Sequence, residues 1–332
     1  MATQATAHEN LTLYQTAKQH GGWRFVPDAG GLLVQGEDRI SFFQRQTTND
    51  LRTLNDQIYI VTVLTSPTAR ILDVLTITQQ GEDLLVFTLP ERGATTKKYL
   101  QSRIFFMDKV TVEDTDQKLI QIELFGPALT NFLGTFGING AQQNPFKRTL
   151  TTIGEGITIL GPQIAGMLGC RLVFPEPASS SVQNTLVKHG FAPVTPEIYD
   201  ILRIESGIPG ALSELTQDYT PLETGMEDTI SSSKGCYTGQ EVIARQITYD
   251  KVTRGIAGMT IQSEPSEPVT AGVQVYAENQ PVGTLTSCGF SPEFGWIGLA
   301  VLKHPFDSPS QHVQIKAAEP INAKVVDLPF MD

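Results

Sequence analysis

Cysteine is scarce in this chain of 332 residues: Cys170, Cys236 and Cys288 form no C-x-x-C pair, and no Cys/His cluster has zinc spacing. That scarcity excludes a disulfide framework and a closed metal site, and makes reduced thiols the expectation. No apolar run approaches the roughly 20 residues that a membrane-spanning helix needs. Positive charge is also short, with 24 Lys and Arg against 35 Asp and Glu, a formal charge of -11. This balance argues against broad electrostatic binding of DNA or tRNA. Neither G-x-x-x-x-G-K-[ST] nor G-x-G-x-x-G occurs, which removes the usual nucleotide-phosphate loops. The five histidines, His8, His20, His189, His304 and His312, are scattered, and none is assigned to catalysis. The first 22 residues lack both an apolar core behind a basic leader and an Arg-rich pattern, so a cytoplasmic location is expected.

What is present is ordinary globular composition, 40% apolar and 18% charged with 29 Gly and 20 Pro. The length suits about two domains. The first two-thirds mix helix and strand patterns. An apolar period around Ile40, Phe42, Phe43 and Leu51 reads as helix, followed by strand-like runs at Ile58 to Thr65 and Ile71 to Thr78. Gly81-Glu82-Asp83 turns the second run into Leu84 to Leu89 as a hairpin, and Gln117 to Phe125 is a further strand ending at a Gly126-Pro127 helix start. Val182 to His189 reads as a helix closed by Gly190, and Thr195-Pro196 opens another that stops at Gly207.

From about Val252 the pattern turns all-β. Six short runs, Gly258 to Gln262, Val273 to Ala277, Val282 to Ser287, Trp296 to Leu302, Val313 to Ala317 and Lys324 to Leu328, predict a small barrel or a sandwich. Ser263 to Pro268 reads as a surface loop between two of them. The boundary is therefore placed near 250, with a body over 1–250 and a β domain over 251–332.

The densest chemistry lies in Lys234-Gly-Cys-Tyr-Thr-Gly-Gln-Glu241. Thr238 and Glu241 have the S/T-x-x-E spacing of a capping box, which predicts a helix starting just after Cys236 and backbone N–H groups near its sulfur. Glu241 and Arg245 form an i,i+4 pair. A helix start and the Lys234 ammonium both favour thiolate, making Cys236 the cysteine with a reason to be reactive. A small buried hydrophobe in a tight turn fits the same residue.

That octapeptide resembles the K-G-C-Y-x-G-Q-E signature of the YgfZ group of folate-binding proteins, relatives of the glycine-cleavage T-protein (aminomethyltransferase). Leu202-Arg-Ile-Glu-Ser-Gly207-Ile-Pro is similar to the group's L-R-I-E-A-G-I-P, and Thr216 to Thr224 to its T-x-x-x-x-P-x-E segment. Phe43 to Leu51 resembles F-L-Q-x-x-x-T-N-D, and Leu64 to Asp73 resembles L-x-x-x-G-R-I-L-x-D with Ala69 in the glycine's place. The resemblance spans almost the whole chain.

It implies an α+β fold, a GcvT-like cloverleaf body around a central folate channel, with a C-terminal all-β barrel. It implies tetrahydrofolate, or a one-carbon derivative, as cofactor, and Cys236 as an essential thiol in the assembly or repair of [4Fe-4S] proteins, including tRNA-modifying enzymes. Partners would be iron–sulfur client or assembly proteins, with no membrane contact and a monomeric chain. Arg203 matches the folate-tail arginine, able to fork a carboxylate; a surface ion pair on a helix is its plainer reading. Asn49, Lys234, Tyr237 and Gln240 are candidate cofactor contacts beside it. One thiolate per monomer does not build a four-cysteine cluster site, so Cys236 is expected to act transiently.

The alternative that the resemblance carries is a folate-dependent aminomethyltransferase, since Asp73 matches the T-protein aspartate by position. Its plainer role is a carboxylate capping backbone N–H groups. Two positions speak against the enzyme. T-proteins carry a pterin glutamate in G-[YF]-E-[IL], whereas Gly169-Cys-Arg-Leu172 places Arg171 there, and T-proteins lack the cysteine signature.

Overall fold

The computed structural model describes residues 4–115, 118–136, 150–153, 156–160, 167–249, 251–262, 272–317 and 319–330; the Ser263 to Pro268 stretch lies outside them. Packing divides the chain into two units, one made of Met1–Leu64, Asp73–Ile198 and Thr229–Tyr237, the other of Thr65–Leu72, Tyr199–Asp228 and Thr238–Asp332. The elements in chain order are α1 (Gln4–Gln19), β1 (Gly22–Phe25), β2 (Gly31–Gln35), α2 (Arg39–Gln46), β3 (Ile60–Thr65), β4 (Ile71–Gln80), β5 (Asp83–Phe87), α3 (Gly93–Gln101), β6 (Thr111–Asp114), β7 (Leu119–Phe125), α4 (Leu129–Gly134), β8 (Leu150–Ile153), β9 (Ile157–Leu160), β10 (Gly169–Pro175), α5 (Ser179–Lys188), β11 (Ala192–Pro193), α6 (Pro196–Glu205), α7 (Gln240–Thr248), β12 (Arg254–Ile261), β13 (Val273–Ala277), β14 (Gln280–Ser291), β15 (Gly295–Lys303), β16 (His312–Ile315) and β17 (Ile321–Val326). No helix among the described residues is long and apolar enough to cross a membrane.

The first unit holds two sheets, ordered β11-β1-β7-β10-β9-β8 and β3-β4-β5-β2-β6. Strand alternation gives β7 two unlike faces. Ile122 and Leu124, with Trp23, Leu172 and Phe174 from the neighbouring strands, bury themselves against Leu129 and Phe132 of α4 and Val182 and Leu186 of α5. Gln121 and Glu123 take the opposite face. The β4–β5 hairpin turns at Gly81, whose φ of +62° is open to glycine at no steric cost.

The second unit is built on a closed six-stranded antiparallel barrel, β12-β15-β14-β13-β16-β17. Every second residue points inward: Met259, Val275, Leu285, Ala300, Leu302, Val313, Ile315 and Val325 form its core. Register shifts between Val275 and Tyr276 and between Leu285 and Ser287 supply the extra curvature that closure demands. Of the two expectations, barrel and sandwich, the barrel is what forms, because β12 pairs with both β15 and β17 and leaves no edge. Outside the barrel, Ile204 of α6 packs on Ile297, Leu299 and Phe330.

Candidate functional site

The cysteine-bearing segment Thr229–Tyr237 threads along the turn that follows α2. Thr48 grips it twice, donating its Oγ1 hydrogen to the Thr229 carbonyl at 2.7 Å and accepting from Ser231 N at 3.0 Å. Lys234, only 6% exposed, then donates Nζ to the carbonyl oxygens of Thr47 (2.7 Å) and Asn49 (2.5 Å) and lies 5.3 Å from the centre of the Tyr237 ring. Asn49 is itself fixed: its Nδ2 donates to Val61 O, its backbone N–H to Thr62 Oγ1, and its Oδ1 accepts from Asp50 N. Three predicted site residues, Asn49, Lys234 and Tyr237, thus meet in one anchor. Burial lowers the Lys234 amine to about 8 and pushes the Tyr237 hydroxyl up to about 12.

Cys236 follows two residues after this anchor and is exposed, whereas Cys170 is buried and Cys288 partly so. Burial raises the thiol of Cys170 far above the ordinary range and that of Cys288 to about 11. Cys236 is the one thiol of the three that is both exposed and held on a rigid support.

The expected capping box is not formed. Helix α7 begins at Gln240, with Gly239 at its N-cap in the left-handed region (φ +83°) and no side chain capping it. The reason is a close approach: a Cβ at residue 239 would meet the Ser66 carbonyl oxygen at 2.7 Å, so only glycine fits, and it fixes where the turn falls. Thr238 contributes its carbonyl instead, accepting from Thr65 Oγ1 at 2.6 Å. The N-cap of α7 therefore falls one residue past the Thr238 expected for it, and the side-chain cap is what is missing. The Glu241–Arg245 pair does form, at 2.6 Å on the surface. Gln240 opens α7 in the second unit.

Asp73 is wholly buried near the start of β4. Its Oδ1 accepts from the N–H groups of Val74 (2.8 Å) and Leu89 (3.0 Å), and its Oδ2 from Thr96 Oγ1 (2.5 Å). Burial pushes its carboxyl up to about 6, outweighing these three hydrogen bonds. The carboxylate ties β4 to the end of β5 and to α3.

Arg203 belongs to the second unit; the ion pair on its helix that was its plainer reading forms with exposed Asp200, but Arg203 itself is only 6% exposed. Its Nε donates to Asp200 Oδ1 at 2.7 Å, its Nη2 to Ser287 Oγ at 2.9 Å, and its Nη1 lies 3.5 Å from Glu214 Oε2. Glu214, fully buried, also accepts from Ser287 Oγ (2.7 Å) and Gly210 N (2.6 Å). The guanidinium charge is matched inside the protein.

A cluster that sequence reading missed sits on the second face of β7. Antiparallel register places Arg24 of β1 and Arg171 of β10 directly opposite Glu123 on either side. Their guanidinium groups hold its two oxygens at 2.8 Å each. Burial pushes the Glu123 carboxyl up, but the two arginine charges outweigh it and hold it below the usual range. Two residues back, the amide of buried Gln121 has no partner for either of its polar atoms among the described residues. Its contacts join residues 48 and 99 positions apart, so no local spacing announced the cluster. Arg171 stands where the T-protein pattern has its glutamate, and the neighbouring strand supplies a carboxylate facing it.

Comparison with known proteins fits this architecture. Residues 16–234 match the GCVT N-terminal domain and residues 254–332 match the glycine cleavage T-protein C-terminal barrel domain. The chain is a member of the GCVT family. Among relatives of this GCVT-family chain, a chloroplastic Arabidopsis thaliana protein named as a transferase is 30% identical, over 91% of this chain and 69% of its own length. The aminomethyltransferase of Caldanaerobacter subterraneus is 24% identical over 96% and 87%. The crystal structure of the glycine cleavage system aminomethyltransferase T from Bartonella henselae superposes with a TM-score of 0.83, covering 97% of this chain and 89% of that one at 19% identity. That likeness establishes the same fold.

Proposed function

We propose that this GCVT-family protein is a tetrahydrofolate-binding factor of the YgfZ type, supporting assembly or repair of iron–sulfur proteins through Cys236. The observation that carries this reading is the contrast between two candidate reactive groups. Cys236 is exposed at the end of a segment anchored by buried Lys234, whereas Asp73, on which aminomethyl transfer rests, is wholly buried with three protein donors already bound. A thiol so placed is accessible to a client and could serve as one ligand of a cluster shared with it, or exchange with a client's thiol.

For the folate, the donor set on β7 fits a flat ring that offers both N–H and C=O groups. Glu123 is held in its ionised form, each of its oxygens retains lone-pair capacity, and the Gln121 amide has both a donor and an acceptor to give. Arg203 fits less well, because Asp200 and Glu214 already balance its charge. When bound, the folate would supply a one-carbon carrier; Glu123 and Gln121 would orient it.

The second reading, an aminomethyltransferase, is favoured by the names of the curated relatives. Calorimetric titration with tetrahydrofolate and its 5,10-methylene form, followed by addition of the glycine-cleavage amine carrier and ammonia, separates the two. Binding without turnover is the expected result. Turnover would overturn the proposal in favour of aminomethyl transfer.

A further inference from the structure

The second unit contains a cleft of about 580 Å³, within the range of small-molecule sites, and its walls carry an unusual charge for a chain of formal charge -11. Arg70, Arg254 and Lys303 line it against a single carboxylate, Glu223, a formal surplus of two positive charges (three minus one).

The arrangement is built. Glu223 is 4% exposed and is consumed by its partners: Arg254 Nε lies 2.9 Å from Oε1, while Arg254 Nη2 (3.1 Å), Thr220 N (2.8 Å) and Arg70 Nη1 (3.4 Å) converge on Oε2. It therefore fixes the two guanidinium groups side by side and neutralises one of them. Arg70 is held further by the Asp218 carbonyl at 2.8 Å, and Arg254 by the Tyr219 ring at 5.5 Å. Both keep exposed surface, 38% and 29% of the side chain. Lys303 Nζ donates to a neutral partner, the Pro281 carbonyl, so its charge is not cancelled there.

Gln246, on the same wall, supplies an independent observation. Its Nε2 lies 3.4 Å from Thr220 Oγ1, and its Oε1 is buried with no partner among the described residues. A hydroxyl can donate or accept, so turning the amide over satisfies Thr220 equally and puts an N–H donor where the unpartnered oxygen now sits, on a residue that lines the cleft. Two preorganised guanidinium groups, an ammonium and an uncommitted amide form a donor set for an anion with several oxygen acceptors.

We propose that this cleft binds a small, multiply charged oxyanion, with Arg70, Arg254, Lys303 and Gln246 as its ligands. The site is separate from the folate and thiol reading and does not depend on it.

The test is calorimetric titration of the full chain at low salt with two probes, pyrophosphate and citrate, for the wild type, Lys303→Ala and Gln246→Leu. Saturable one-to-one binding of at least one probe is expected, weakened about tenfold by Lys303→Ala, the loss of one charge-assisted contact, and several-fold by Gln246→Leu. Pyrophosphate alone would mark a phosphoryl site and citrate alone a polycarboxylate site. Lys303 is on the surface, so its replacement leaves the melting temperature unchanged and its effect is on binding. The absence of saturable binding to the wild type overturns the proposal, as does wild-type affinity in both variants.

Discussion

Lys234 donates to the carbonyl oxygen of Thr47 at 2.7 Å, across 187 positions of sequence. Together with the bond to Asn49 O, this contact makes a buried cation the staple between the cysteine-bearing segment and the turn after α2. Its acceptors are neutral carbonyls and an aromatic face. Such an arrangement holds the backbone on either side of exposed Cys236 through neutral acceptors alone.

Replacing Lys234 with Met therefore removes two charge-assisted hydrogen bonds and leaves two carbonyls unpaired, partly offset by the relief of burying a charge. The expected loss is about 2 kcal/mol, measured by urea unfolding. The same variant should expose Ser231 to Tyr237 to protease before the rest of the protein, since the staple is local.

Asp73 predicts a pH dependence opposite to that of most carboxylates. Its folded value is about 6, against about 3.9 for an unfolded aspartate. Between those pH values the folded state holds more protons than the unfolded one, so this group's contribution is most favourable below about pH 4 and is lost as pH rises through 6. Asp73→Asn keeps an acceptor for Val74 and Leu89 and removes the titration. The variant should match the wild type near pH 4 and exceed it by about 2 kcal/mol at pH 8. Equal stability at both pH values would show that the carboxyl titrates normally, and loss of folate-dependent turnover in the variant would restore Asp73 to the chemistry.

The three cysteines should separate cleanly on thiol labelling. Cys236 is exposed, Cys170 lies in the core of the first unit, and Cys288 is partly buried with a thiol near 11. Native protein should take up one equivalent of an aromatic disulfide reagent rapidly at neutral pH, and Cys236→Ser should abolish that fast phase. The same replacement should leave the unfolding midpoint unchanged while iron–sulfur enzyme activity is lost in cells that depend on this chain. Retained activity in those cells would remove Cys236 from the function.

How much of this was legible depends on range in sequence. The barrel strands were readable because inward and outward residues alternate and Gly, Pro and Asn mark the turns: Val273–Ala277 is placed to the residue, and the Thr195-Pro196 signal does open α6. Helix α1 was not, since Gln4–Gln19 is mostly polar and lacks an acidic first turn. The start of α7 was misplaced because a spacing of Thr and Glu says nothing about a carbonyl from residue 66 pressing on residue 239. At the site, Cys236 was legible as a motif. The anchors of Lys234 and the Glu123 cluster were not, because each joins strands or turns distant in the chain; for Asp73 the plainer reading, a carboxylate accepting from backbone N–H groups, is what forms, but Leu89 and Thr96 as its partners were out of local range.

Arg203 offers the sharpest separation of a structural role from a binding one. Its removal as Arg203→Met leaves Glu214 fully buried with two neutral donors, Ser287 Oγ and Gly210 N, and no cation within reach on this network. A buried carboxylate stripped of its partner costs about 3 kcal/mol, so a large fall in the urea midpoint is expected. Adding Glu214→Gln should recover much of that loss, because the amide needs no counter-charge, its oxygen can accept from Gly210 N, and its Nε2 can donate to the Ser287 hydroxyl, which is able to accept. If Arg203 serves only this network, the double variant should bind tetrahydrofolate with wild-type affinity. A tenfold weaker titration in a double variant of restored stability would instead place the guanidinium on the glutamyl tail, where the motif match puts it.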